Sequence, residues 1–107
     1  MNERFKERLV RLMREKQVDA MMIAPSEELR FLAGFNVYQR FQALFLTAKG
    51  GAFYICNILS RDEVAEGLGE PIPVHTWTDS EDFAAVAGDV LEEYGLLGGT
   101  VGVNSTV

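Results

Sequence analysis

Few side chains in this sequence could do covalent or metal chemistry. One imidazole, His75, and one thiol, Cys56, are the only soft or borderline ligands in 107 residues. A zinc or manganese centre needs three or more converging ligands. Cys56 alternates with Tyr54 and Ile58 in a strand-like period, which suits a core thiol better than a nucleophile, and no second histidine is present to serve as its base. His75 lies two residues before Trp77 in an extended stretch and reads as a surface or edge histidine. A Cys56–His75 pair across neighbouring strands is open, but the spacing does not require it. The carboxylates come in adjacent pairs, Glu27/Glu28, Asp62/Glu63 and Glu92/Glu93. Such pairs fit helix first turns or solvated faces, whereas acid–base work needs one buried, perturbed member. The glycine-rich run 95–102 has a helix before it and a strand after it. A dinucleotide fingerprint needs the reverse order. No Walker pattern or serine nucleophile elbow occurs. That leaves Tyr38 and Arg40, in an irregular stretch between Phe35 and Phe41. An arginine beside aromatics on a loop suits carboxylate recognition or stacking on the guanidinium face. The bland alternative is an ordinary loop with one anchoring aromatic.

The elements that would carry these residues follow from period and punctuation. Residues 3–16 place Phe5, Leu9, Leu12 and Met13 on one helical face, with Asn2 as N-cap. Residues 18–24 form an apolar run interrupted by Asp19, too short for a helix and suited to a strand buried on both faces. Ser26 caps a short helix through Leu32, with Gly34 in the left-handed position at its end. Residues 42–47 and 52–58 are strands, and residues 48–51 (AKGG) are a hairpin turn. Two capping boxes, Ser60 with Glu63 and Thr78 with Glu81, each open a helix. The first helix runs to about Gly67. The second carries Phe83, Val86, Ala87, Val90, Leu91 and Tyr94 on one face and stops at Gly95. Gly88 inside that helix predicts close approach of another backbone, because glycine there costs about 1 kcal/mol relative to alanine. Residues 71–77 read as an edge strand because of Pro71 and Pro73, and residues 100–104 as a last short strand. The sum is an α/β fold with a mixed sheet: a hairpin makes part of it antiparallel, and right-handed crossovers make the rest parallel. The stop at Val107 directly after a strand, with no closing helix, reads as a cut chain.

Composition narrows the classes further. The hydrophobic fraction of 48% and charged fraction of 24% are those of one globular domain. Residues 3–16 hold six of the ten basic residues; the remainder has four basic against thirteen acidic, a balance of −9. An acidic body repels phosphate backbones, and no aromatics alternate with the basic residues to stack bases, so nucleic acid is not the expected partner. A lone cysteine, no signal peptide and no apolar run near the ~20 residues that span a bilayer point to a cytoplasmic protein without a membrane partner.

With these elements in place, three segments resemble the N-terminal domain of the creatinase/prolidase/aminopeptidase P family. Residues 7–23 (ERLVRLMREKQVDAMMI) look like its opening helix running into a Val/Leu-Asp-Ala strand. Residues 25–35 (PSEELRFLAGF) are similar to its Pro-x-Asn-x-x-Tyr-Leu-Thr/Ser-Gly-Phe pattern, although Leu29, Phe31 and Ala33 stand where the family has asparagine-type, tyrosine and hydroxyl residues. Residues 101–103 (VGV) follow an amphipathic helix, as in the family. The resemblance covers nearly the whole chain. It implies one domain over residues 1–107 with a mixed parallel-plus-hairpin sheet flanked by helices, a ribonuclease H-like motif. It further implies the non-catalytic part of a Xaa-Pro peptidase. In this family two aspartates, a histidine and two glutamates of a C-terminal pita-bread domain hold two divalent ions (Mn, Co or Zn) that activate water. No catalytic or metal residue therefore carries over to this chain. What is implied here is a part in homodimerisation and in narrowing the peptide entrance, with the chain's own catalytic domain as partner and with Tyr38 and Arg40 on the loop best placed to border the partner subunit's active site. Two readings compete with this one. The first is a complete small binding or oligomerisation domain sharing the fold. The second is a receiver-like domain, disfavoured because the strand ending at Ala24 brings no acidic cluster.

Overall fold

Residues 43–47 are apolar on both sides of a strand, so this segment has to be covered from above and below. In the computed structural model, which describes residues 1–34, 42–96 and 98–103, it is the middle strand of the sheet. The elements in chain order are α1 (Glu3–Glu15), β1 (Ala20–Ile23), α2 (Glu27–Ala33), β2 (Ala43–Thr47), β3 (Ala52–Asn57), a 3-10 turn (Ile58–Ser60), α3 (Arg61–Leu68), β4 (Val74–Trp77), α4 (Phe83–Glu93) and β5 (Val101–Val103). The five strands lie in the order β4-β3-β2-β1-β5. β1–β2 and β2–β3 are antiparallel, while β3–β4 and β1–β5 are parallel. The α/β class, the mixed sheet and the edge position of β4 agree with the sequence reading.

Strand alternation divides the core in two. On one face Ile23, Leu44, Leu46, Tyr54 and Cys56 pack under α1, α2 and α3 through Met13, Leu29, Leu32 and Val64. On the other, Ala43, Phe45, Phe53 and Ile55 meet α4, of which Val90 alone is fully buried. Phe45, Phe53 and Tyr94 form a stacked column, with ring centroids 4.9 and 4.0 Å apart. Each large side chain so buried contributes about 1.5–3 kcal/mol.

The caps are partly as expected. Asn2 accepts from the Phe5 N–H at 3.1 Å, and Ser26 accepts from the Leu29 N–H at 3.2 Å. Gly34 ends α2 at φ +87°, the left-handed region glycine reaches without strain. The two capping boxes fail in different ways. Ser60 is buried in helical geometry and caps nothing, because the 3-10 turn leads straight into α3; Asn57 caps that turn instead, accepting from Leu59 N–H at 2.9 Å. Glu81 does reach back to the Thr78 N–H at 2.8 Å, but α4 starts later, under Asp82, whose carboxylate accepts from Ala84 N–H at 3.3 Å. The close approach expected at Gly88 is absent: a Cβ placed there meets no described atom within 4 Å.

The glycine-rich run after α4 is structural. Leu96 N–H bonds to the Leu91 carbonyl and Gly95 N–H to the Glu92 carbonyl, which is the Schellman pattern. The chain then folds over Asp19. That carboxylate accepts from Thr100 N–H at 2.8 Å, Asp19 N–H donates to the Thr100 carbonyl at 2.9 Å, and Ala48 N–H donates to the Asp19 carbonyl at 2.9 Å. One residue thus ties the start of β1 to the start of β5 and to the β2–β3 hairpin.

Candidate functional surface

Tyr38 and Arg40, the residues singled out from sequence, lie outside the described residues. On either side of residues 35–41, the left-handed Gly34 ends α2 and Gln42 precedes β2. Gln42 is 3% exposed, and its Oε1 accepts from the Tyr54 hydroxyl at 2.8 Å. Burial drives the Tyr54 phenol well above its usual titration range, with the neighbouring Cys56 adding to the effect, so Tyr54 stays a hydrogen-bond donor at physiological pH. β3 runs on past the Ala43–Ile55 pair to Asn57. Asn57 Nδ2 donates to Asp79 Oδ1 at 3.0 Å, holding the 3-10 turn against the loop before α4. That turn presents Ile58 and Leu59, the latter 83% exposed.

The remaining candidates resolve into structure. Cys56 and His75 do not meet. The β3–β4 register pairs Cys56 with Thr76 and Ile55 with His75, and paired residues share a face, so the thiol and the imidazole lie on opposite sides of the sheet. Cys56 is fully buried, and burial pushes its thiol up to about 11, partly offset by Arg61. Only a small fraction is thiolate near neutral pH, which leaves it a poor nucleophile. His75 is half-buried; its Nε2 lies 3.0 Å from the Tyr94 hydroxyl, and its ring stands edge-on to Phe53 and Tyr94. It locks the end of α4 to β4. Glu92 and Glu93 are exposed on that helix. At the opposite end of the sheet a cleft of about 440 Å³ opens between Lys49, Phe53 and Tyr94. Its carboxylate, Asp19, is already engaged by Thr100. Sequence reasoning treated Asp19 as a mere interruption of a strand; the signal for its role was the Gly98-Gly99-Thr100 run, which supplies a backbone able to wrap a carboxylate.

Among the described residues no three of His, Cys, Asp and Glu gather closely enough to hold a metal ion. The described residues thus do not fit a dinuclear centre. No helix of the described residues is long and apolar enough to cross a membrane.

Comparison with known proteins places this architecture. No curated protein sequence matches the chain. Among solved structures, it is similar to a dipeptidase from Pyrococcus horikoshii OT3 (TM-score 0.73, 24% identity) over 96% of this chain and 28% of that one. It is also similar to the N-terminal domain of a Xaa-Pro dipeptidase from Lactobacillus brevis (TM-score 0.75, 18% identity), covering 84% of this chain and 68% of that one. A third is the creatinase/prolidase N-terminal domain of an X-Pro dipeptidase from Streptococcus pyogenes (TM-score 0.73, 13% identity), covering 96% and 94%. At these identities the likeness is one of fold. The chain spans just over a quarter of the Pyrococcus protein's length. The profile of the Creatinase/Prolidase N-terminal domain matches residues 6–107. This match spans all but the first five residues, and the chain belongs to the Creatinase/Prolidase N-terminal domain family.

Proposed function

We propose that this chain is the non-catalytic N-terminal domain of a Xaa-Pro peptidase, that it takes part in homodimerisation, and that it shapes substrate access through the 35–41 segment. The observation that supports this most is the family match over residues 6–107, together with likeness to the N-terminal domains of Xaa-Pro dipeptidases. The catalytic metals, two divalent ions, belong in this reading to a partner domain; the described residues offer no ligand set for them. Tyr38 and Arg40 border the partner subunit's substrate entrance, with the arginine facing the carboxylate of a proline peptide.

The test is steady-state kinetics of the full-length protein on a Xaa-Pro dipeptide. Arg40→Ala raises KM about tenfold, the loss of one modest charge-assisted contact, with kcat and bound metal unchanged. Unchanged KM removes the substrate-access reading. No turnover of proline peptides by the wild-type full-length protein removes the peptidase reading itself.

A further inference from the structure

The cleft of about 440 Å³ beside the β2–β3 hairpin has the build of a small-molecule site. Ligand pockets run from ~300 to ~1,000 Å³ and are mostly apolar, with a few placed polar groups. Here Thr47, Gly51 and Phe53 come from the hairpin, and Tyr94 and Leu96 from the end of α4. Tyr94 supplies an aromatic wall. It is 38% exposed, stacks on the fully buried Phe53 with ring centroids 4.0 Å apart, and has its hydroxyl 3.0 Å from His75 Nε2. The ring is therefore fixed in place before any ligand arrives.

The hydroxyl in this lining is already used: Thr47 Oγ1 accepts from the Gly51 N–H at 3.1 Å. Two charges are not. Thr100 N–H takes only Oδ2 of Asp19, and Oδ1 accepts no hydrogen bond among the described residues. Lys49 is exposed and pairs with no carboxylate among the described residues. The backbone keeps the two near each other, because Ala48 N–H donates to the Asp19 carbonyl at 2.9 Å and Lys49 is the next residue. α4 ends at the same cleft, so the negative end of its dipole adds to the carboxylate. Opposite charges held this near, unpaired and beside an aromatic wall, select a ligand that carries both signs. A simple anion meets Asp19 as a like charge, and a simple cation meets Lys49 as one; a zwitterion answers each. The wall then takes its side chain, since aromatic rings pair favourably with one another.

We propose that this cleft binds a free α-amino acid with an aromatic side chain, its ammonium on Asp19 Oδ1, its carboxylate on the Lys49 ammonium and its ring against Tyr94. The site is separate from the 35–41 loop and does not depend on peptidase activity. The experiment is a titration of the isotopically labelled intact chain with L-phenylalanine, followed through the amide proton and nitrogen chemical shifts. Three comparison probes each lack one feature: N-acetyl-L-phenylalanine the ammonium, L-phenylalaninamide the carboxylate, and glycine the ring. L-phenylalanine binds saturably, with the largest shifts in residues 47–53 and 94–96. Each comparison probe binds about tenfold more weakly or worse. Lys49→Gln and Asp19→Asn each lower the affinity for L-phenylalanine about tenfold, and thermal melts show that both variants are folded. Asp19→Asn keeps the acceptor for Thr100, so the clamp on β5 stays in place. Four results overturn the proposal: no saturable binding; shifts centred away from the cleft; equal binding of any comparison probe; or unchanged affinity in either folded variant.

Discussion

Phe53→Ala lowers the stability of the domain by about 3–5 kcal/mol, the range for a fully buried phenylalanine replaced by alanine. Phe53 has no exposed surface and sits between Phe45 and Tyr94 in the aromatic column. The neighbourhood has little means of closing the cavity. Among the described helices α4 alone covers this face, and Val90 is its one buried residue. Truncation removes the surface on which Tyr94 stacks and the ring against which His75 stands, so the end of α4 loosens together with the core. Denaturant titration followed by circular dichroism measures the effect. A loss of less than about 1 kcal/mol would contradict the assigned role of the ring as a fully buried part of the core. The loss is a large part of the 5–15 kcal/mol typical of a domain.

Asp19→Ala costs about 2 kcal/mol, the scale of a charge-assisted hydrogen bond to a backbone N–H. It releases Thr100 N–H and with it the register of β5, a three-residue strand that among the described residues pairs with β1 alone. Asp19→Asn keeps an acceptor and loses less. Gly99 belongs to the same clamp: a Cβ there would sit 2.7 Å from Asp19 Oδ2 and 3.2 Å from the Leu96 carbonyl. Amide hydrogen exchange separates this clamp from a general loss of stability. In Asp19→Ala the residues 100–103 exchange much faster than β2 and β3; uniform acceleration across the sheet would contradict the assigned role.

Much of this architecture is written in short-range pattern. The alternation of β2 and β3 around the turn at residues 48–51, the left-handed Gly34 and the edge prolines before β4 each act through local sterics or burial on a face, so they are legible without a partner in view. What was not legible depends on distant neighbours. Ser60 has the type and spacing of a cap, yet the preceding 3-10 turn already supplies what a cap would, so burial takes the residue instead. Gly88 has the look of a packing glycine, but no described atom comes within 4 Å of a Cβ placed there. Asp19 is read correctly only once Thr100, eighty-one residues on, is placed beside it. For the proposed surface, Tyr38 and Arg40 come from composition and family likeness and lie outside the described residues.

In the proposed reading, hydrolytic chemistry belongs to a partner domain and not to these 107 residues. Equilibrium dialysis of the chain against Mn, Co and Zn, followed by metal analysis and a proline-dipeptide hydrolysis assay on the same sample, tests it most directly. The account predicts less than stoichiometric metal and no turnover above buffer. One or two tightly retained ions per chain with release of free proline would contradict it.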